Sequence, residues 1–126
     1  MNANNPRVIT THRADDGDLT RLLVMDEPGP GGAHHHYLID AGNDEDDSVL
    51  GSIEFQLGPI AEAGINGVQI EHLLAVAIDR LECFQAGPFA SPYNANALKF
   101  CGEALAALQR RTRDRLARGV EGKNAE

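Results

Sequence analysis

The chain has 126 residues and a formal net charge of −8, with 19 acidic and 11 basic side chains. This length predicts one domain spanning 1–126, and the acidic balance argues against binding to DNA or RNA, which normally needs a broad basic face. The sequence has neither the ~20-residue apolar run of a membrane helix nor a secretory signal, so we expect a cytosolic protein with free thiols.

The first half of the chain, residues 7–57, has the pattern of a small β-sheet. Four runs are rich in β-branched or alternating apolar residues. They are Arg7–Arg13, Leu19–Met25, His34–Ala41 and Val49–Gln56. The stretch 26–32 (DEPGPGG) is typical of a loop, and 43–47 (NDEDD) of a charged turn. Because short connections join successive strands, the sequence predicts an antiparallel sheet.

The second half, residues 69–118, is predicted to form two helices after a glycine-rich loop at 58–67. Apolar residues recur with helical spacing, which predicts a first amphipathic helix over about Gln69–Gln85. Ser91 followed by a proline is a good start for a second helix, which should run over about Pro92–Arg118. The short connection predicts an antiparallel helical hairpin, so the fold class is α+β.

One stripe of the second helix has nearly coiled-coil spacing. Its members are Leu98, Cys101, Leu105, Leu108 and Thr112. Cys83 on the first helix lies on a face that can pack against this stripe, so both cysteines are expected to be buried small side chains rather than nucleophiles. Glu82 and Glu103 are available for acid–base work, but no nucleophile pairs with them, and we predict no catalytic residue.

Arginine is concentrated in the last turns of the second helix, where five arginines fall within nine positions (110–118). Arg111, Arg115 and Arg118 are spaced i, i+4, i+7 and therefore share a face, with Thr112 beside it. A charged last turn that offsets the helix dipole is one interpretation. Guanidinium also binds phosphate through two parallel hydrogen bonds and stacks on nucleobases, so a small phosphorylated ligand is the other.

Three consecutive histidines, His34–His36, raise the question of a metal. In a strand the first and third would face one side, with Asp40 or His12 as further ligands. No recognised metal-binding spacing accompanies them, so we predict a polar strand and neither metal nor cofactor. The GPGG stretch lacks the Lys and Ser/Thr of a phosphate-binding loop and is predicted to be a turn.

The second half of the chain resembles a known family. The residues that carry the resemblance are GPIAEAGINGV (58–68), LLAVAIDRLECFQAGPFA (73–90), EAL (103–105) and RRTRDRLARGVEG (110–122). They are similar to the phage-encoded Thoeris anti-defence protein 1 family, whose helical hairpin is shared with phage anti-CBASS cyclic-dinucleotide sponges. The resemblance spans residues 53–122.

The resemblance implies a sponge rather than an enzyme, acting in the cytoplasm of the infected bacterial host. Family members hold nucleotide immune signals without cleaving them, and the Thoeris signal is glycocyclic ADP-ribose. Some members also bind cyclic di- or trinucleotides in separate pockets. The implied fold is an N-terminal antiparallel sheet with two C-terminal helices, which oligomerise into a dimer or hexamer with ligand sites between protomers.

Four residues match the family's ligand-binding positions. Phe84 matches an aromatic that would stack on adenine, although it also continues the apolar stripe of its helix. Asn94 matches an asparagine that would hydrogen-bond base or ribose, although it also suits a helix start. Arg111 and Arg115 match an arginine pair that would hold the pyrophosphate.

Three neighbouring residues complete the candidate ligand-binding set. Arg113 and Arg118 either line a second pocket or stay solvated, and Thr112 lies between the two arginines of the pair. The stretch 91–93 (SPY) departs from the family pattern, which has Cys, Arg and Glu there, and 95–102 (ANALKFCG) replaces a run with Thr-Lys-Leu. The loop beside the candidate pocket is therefore remodelled, which bears on ligand choice.

Two other functions are compatible with these residues. A hydrolase that degrades the same nucleotide would need a general base and would turn its ligand over. A protein-binding module whose arginines meet an acidic partner would bind no small molecule.

Overall fold

A computed structural model describes residues 6–12, 20–42 and 49–119 of the chain. Residue contacts divide the chain into two compact units, one ending at Val68 and one beginning at Gln69. The first unit contains the strands and the second contains the two long helices, which confirms the predicted α+β class. None of the helices in the described ranges is long and apolar enough to cross a membrane.

The N-terminal unit is built on an antiparallel sheet in the order β1-β2-β3-β4. The strands are β1 (Arg7–Ile9), β2 (Arg21–Val24), β3 (His36–Asp40) and β4 (Val49–Glu54). Each strand is shorter than its predicted run, since pairing with a neighbour, rather than the composition of the run, sets where a strand ends. The predicted strand ends Arg13 and Leu19, and the charged turn at 43–47, lie outside the described residues.

The core of this unit is centred on β2. Among the residues that the structure describes, Leu23 and Val24 are its buried apolar residues, and because neighbours in a strand point to opposite faces, both faces of β2 are covered. Tyr37 and Phe55 add an edge-to-face aromatic pair with ring centroids 5.7 Å apart. The buried apolar residues of the sheet therefore lie on an inner strand.

Two predicted loops contain a helical turn, which corrects the sequence interpretation. The loop at 26–32 includes a 3-10 turn at Pro30–Gly32, and the loop at 58–67 includes the short helix α1 (Ile60–Ala63). Gly64, with φ of 73°, ends α1 after a single turn. A single helical turn is too short to show helical periodicity in the sequence. The glycine and proline content of these segments therefore predicts a loop.

The C-terminal unit is the predicted hairpin, with α2 (Ile70–Gln85) and α3 (Pro92–Ala117). The Ser91 hydroxyl accepts a hydrogen bond from the Asn94 backbone N–H at 3.0 Å, which confirms Ser91 as the N-cap of α3. Gly119, with φ of 73°, follows the end of α3. The predicted stripe of α3 is half-buried at all five positions, as expected of the face that packs on α2.

Candidate ligand-binding site

Phe84 lies in the last turn of α2 and is half-buried. The guanidinium of Arg80, one turn earlier, lies over the ring, with Cζ 5.0 Å from the centroid. The Phe89 ring makes an edge-to-face contact with Phe84 at a centroid distance of 6.2 Å. Phe84 is therefore already part of an aromatic–cation cluster at the turn of the hairpin.

Asn94 ties the same turn to the start of α3. Besides its backbone contact with Ser91, its side-chain Nδ2 donates a hydrogen bond to the Phe89 carbonyl oxygen at 3.3 Å. The Ser91 N–H in turn donates to the Gln85 side-chain oxygen at 2.9 Å. Within the described part of the chain, Asn94 Oδ1 has no hydrogen-bond partner, so it remains able to accept one from a ligand.

The arginines lie at the other end of the hairpin. Nη2 of Arg111 is 3.9 Å from Oε2 of Glu71, in the first turn of α2, and the Glu71 side chain is only 21% exposed. Arg118 Nε donates to Asp114 Oδ2 at 3.0 Å, one turn earlier on α3. Arg115 is half-buried. The arginine cluster therefore contains two carboxylates that reduce its positive field.

The remaining candidates sit among these arginines. Thr112 is half-buried on the face of α3 that packs on α2, whereas Arg113 is exposed on another side of the helix. Asp114 was detectable from sequence, because it stands four residues before Arg118. Glu71 was not detectable, since only the register of the hairpin brings it to Arg111.

One chain does not bring all candidates together. Gln85 contacts Ser91 at the turn, and Glu71 contacts Arg111 at the open end, which shows that the helices are antiparallel. Asn94 and Arg111 are 17 positions apart on α3, which corresponds to roughly 25 Å along the helix. Phe84 and Asn94 form one candidate half-site, and the arginines form another at the opposite end.

The histidine segment does not have the predicted arrangement. Strand β3 begins at His36, so the prediction that His34 and His36 share a strand face is wrong. His34 instead donates from Nδ1 to the Asp26 carbonyl oxygen at 2.7 Å, and His36 Nε2 lies 3.2 Å from Ser52 Oγ. In the ranges that the structure describes, no group of three His, Cys, Asp or Glu side chains is placed to hold a metal.

The cysteines differ from their prediction in one respect. Both thiols are free, and Cys101 is half-buried, but Cys83 is exposed. The half-buried residues near it, Leu81, Phe84 and Gln85, define the inner side of α2, and Cys83 falls outside that arc. The expectation that Cys83 packs against α3 is therefore wrong.

The hairpin decides which family the chain belongs to. Residues 50–113 match the family described as Acb2/Tad1, hairpin domain. The chain is a member of the Acb2/Tad1 hairpin family. The match confirms the resemblance that the sequence indicated, and it includes Phe84, Asn94 and Arg111 but ends before Arg115.

The Acb2/Tad1 assignment is supported by a relative of known name. The chain is 48% identical over 73 residues to a protein of Bacillus phage SBSphiJ7 named Thoeris anti-defense 1. The matched segment covers 58% of this chain and 51% of the relative. The chain thus spans about half the length of this relative.

Proposed function

We propose that this chain is a phage anti-defence sponge, which binds a bacterial immune-signalling nucleotide and holds it without cleaving it in the cytoplasm of the infected host. The proposed ligand is glycocyclic ADP-ribose, with cyclic di- and trinucleotides as further candidates. Binding would block activation of Thoeris effectors, with CBASS effectors as a second target. The observation that carries the proposal is the Acb2/Tad1 hairpin at residues 50–113, and the name of the phage relative supports Thoeris as the pathway.

The residues of the two half-sites suit the parts of such a nucleotide. Arg111 and Arg115 would hold the pyrophosphate through parallel, charge-assisted hydrogen bonds. Phe84 would contact the adenine, and Asn94 Oδ1 would accept a hydrogen bond from base or ribose. Tight sequestration needs a large binding free energy, since a nanomolar Kd corresponds to about −12 kcal/mol. Residues already held by the fold reduce the ordering cost of binding.

We further propose that each complete site combines two protomers. The half-sites of one chain lie too far apart for one compact nucleotide, given the roughly 25 Å between Asn94 and Arg111 along α3. If a second hairpin packs antiparallel to the first, the arginines of one protomer come to the Phe84 end of the other. A homodimer would supply two such sites, and a hexamer would repeat them.

Binding without chemistry is the third part of the proposal. Glu82 and Glu103, the carboxylates considered for acid–base roles, are both solvent exposed. Exposed carboxylates on separate helices are typical of solvated surface charge rather than of a catalytic pair. Recovery of intact ligand from the protein would therefore be expected.

The experiment that tests the proposal is ligand capture. Purified protein is mixed with excess glycocyclic ADP-ribose, or separately with cyclic di- and trinucleotides, and unbound ligand is removed by filtration. The protein is then heat-denatured, and the released material is identified by mass spectrometry. Intact ligand in proportion to protein is the expected result. Release of nucleotide fragments would show that the protein is a hydrolase rather than a sponge. If the protein retains none of the nucleotides, a protein-binding module is favoured instead.

Replacing both Arg111 and Arg115 by Ala tests the site. We expect capture to be abolished while the oligomer, measured by light scattering, is retained. The matched control is Lys99→Ala with Arg110→Ala, which removes the same charge from two exposed positions of α3 and should leave capture intact. Wild-type capture by the Arg111/Arg115 variant would show that the pyrophosphate is held elsewhere.

A further inference from the structure

Phe89 is an exposed aromatic residue in the turn between α2 and α3. Its exposed fraction is 70%, although its ring contacts Phe84. Removing so exposed a ring would cost the fold little, because little apolar surface is buried there. Its presence is therefore not explained by packing within the hairpin alone.

The backbone of this turn is nevertheless firmly held. Asn94 Nδ2 donates to the Phe89 carbonyl oxygen at 3.3 Å, and the Ser91 N–H donates to Gln85 at 2.9 Å. The Gly87 N–H also donates to the Phe84 carbonyl oxygen at 3.1 Å. These bonds hold the backbone that carries the exposed ring before any ligand arrives, which lowers the ordering cost of binding to it.

Phe84 is the less accessible of the two rings. It is half-buried, and the guanidinium of Arg80 already covers one of its faces at 5.0 Å. A base that approaches this end of the hairpin therefore meets more aromatic surface at Phe89 than at Phe84. The Asn94 amide is hydrogen-bonded through Nδ2 to the carbonyl oxygen of Phe89 itself, so a polar group stands beside the residue that carries the exposed ring.

We infer that Phe89 provides the outer stacking surface for the purine base of the ligand, with Phe84 supporting it from below. This inference rests on the proposed nucleotide-binding function and adds a ligand-contacting residue to it. An aromatic ring beside an amide suits a nucleobase, because the ring takes the face of the base and the amide takes its donor and acceptor edge, and the base of the proposed ligand is the purine adenine. A second copy of the chain is the other possible occupant of this surface.

The experiment uses the absence of tryptophan from the chain. Phe89→Trp retains a stacking surface and introduces the chain's one tryptophan at the proposed contact, which can be excited separately from the tyrosines. We expect Phe89→Trp to capture glycocyclic ADP-ribose within about threefold of the wild-type affinity and its fluorescence to change on titration with the ligand. We expect Phe89→Ala to lose affinity by about tenfold or more, as is typical when a base loses its aromatic partner.

Ile65→Ala is the control. Ile65 is 83% exposed and precedes α2, so its removal takes away exposed apolar surface without changing the turn between α2 and α3. Its affinity should stay within about threefold of wild type. Light scattering on every variant shows whether the oligomer is unchanged.

The outcomes separate the inference from the function on which it rests. If wild type captures the nucleotide and Phe89→Ala captures it equally well, the stacking role of Phe89 is wrong while the sponge stands. If Phe89→Ala loses capture together with its oligomeric state, the ring is an interface residue and the inference is also wrong. If wild type captures none of the nucleotides tested, the proposed function fails first.

Discussion

At the scale of single residues, the contact between Arg111 and Glu71 has a direct consequence for binding. The arginine proposed to hold the pyrophosphate faces a carboxylate at 3.9 Å, so an anionic ligand must displace or share that carboxylate. Glu71→Gln removes the competing charge without changing the shape of the side chain. We expect ligand affinity to rise by up to about fivefold, the range set by a partly exposed ion pair.

The control for this prediction is Glu82→Gln, which changes the net charge of the chain by the same amount from an exposed position on the same helix. Titration calorimetry at low and physiological salt measures both variants. An equal gain in both would mean that overall charge, rather than the Glu71 contact, governs affinity.

A second pair of residues governs the acid stability of the sheet. Asp40 is buried and accepts two hydrogen bonds from Arg21, at 3.0 and 2.8 Å, and a third from the Gly42 N–H. The Arg21 hydrogen bonds, which outweigh burial, hold the pKa of Asp40 below its ordinary value. For Asp26, burial works to raise the pKa, but hydrogen bonds from the His35 and His36 N–H groups outweigh it and lower the pKa as well.

Lowered carboxylate pKa values predict the direction of the pH dependence. A carboxyl whose pKa is lower in the folded than in the unfolded state stabilises the fold above the unfolded value, about 3.9 for Asp, and that stability is lost as the pH falls through the folded value. We therefore expect the thermal unfolding midpoint to stay constant from neutral pH to about pH 5 and to decrease when the pH is lowered below about 4.

Asp40→Asn assigns this acid transition to a residue. The free energy of unfolding of the variant should be lower by about 2 kcal/mol at neutral pH, because Arg21 loses its charged partner. Its thermal unfolding midpoint should fall less steeply than that of wild type as the pH is lowered. Circular dichroism melts across the pH range measure both effects. An acid transition as steep as that of wild type would assign the effect to other carboxylates.

At the scale of elements, two glycines are predicted to respond oppositely to alanine. A Cβ on Gly67 would overlap the backbone of Phe55 and Gln56, where Val68 pairs in parallel with Phe55. Gly102, inside α3, has open space around its Cβ position. Gly67→Ala should therefore destabilise the protein by about 2 kcal/mol, and Gly102→Ala should stabilise it by about 0.5–1 kcal/mol through helix propensity.

Urea unfolding of the two variants measures the difference, and each variant serves as the control for the other. If Gly67→Ala were neutral, the segment before α2 would have to shift freely away from β4. A loss of stability in Gly102→Ala would indicate that another protomer covers that part of α3.

The elements also show what the sequence can predict. The ends of α3 followed from local signals, Ser91 with its proline at one end and Gly119 at the other, because caps depend on neighbouring residues only. The strand limits did not follow, since β3 begins at His36 rather than His34 for reasons of pairing with β2 and β4. Phe89 lies in the stretch 73–90 that carries the family resemblance, but the sequence predicted no role for it, because its exposure depends on the conformation of the turn.

At the scale of the whole molecule, the hairpin leaves apolar surface uncovered. None of the residues in α2 or α3 is fully buried. Val76 on α2 and Phe100 and Leu116 on α3 are 67%, 60% and 61% exposed, so both helices present large apolar side chains outside the contact between them. This surface supports the proposal that a second copy covers the hairpin, in line with the separation of the two half-sites.

A mixed oligomer tests the shared site directly. One variant carries Phe84→Ala with Asn94→Ala, and the other carries Arg111→Ala with Arg115→Ala. Each alone should capture no nucleotide, because every site lacks one half. Co-expression with two different affinity tags allows the mixed species to be isolated by tandem purification. A mixed dimer should recover one of its two sites, since one protomer supplies the aromatic half and its partner supplies the arginines.

The control co-expresses one chain that carries only Phe84→Ala with a differently tagged chain that carries only Asn94→Ala. Every site formed between these chains still lacks either Phe84 or Asn94, so capture should stay low. Mass spectrometry of the released ligand, normalised to protein, measures recovery in each case. A mixed oligomer with no recovered capture would place the whole site within one chain, because neither parent chain then has an intact set. Restored capture would show that two hairpins meet head to tail. Only that arrangement brings the Phe84 end of one hairpin to the arginine end of another, because the two ends of α3 are so far apart.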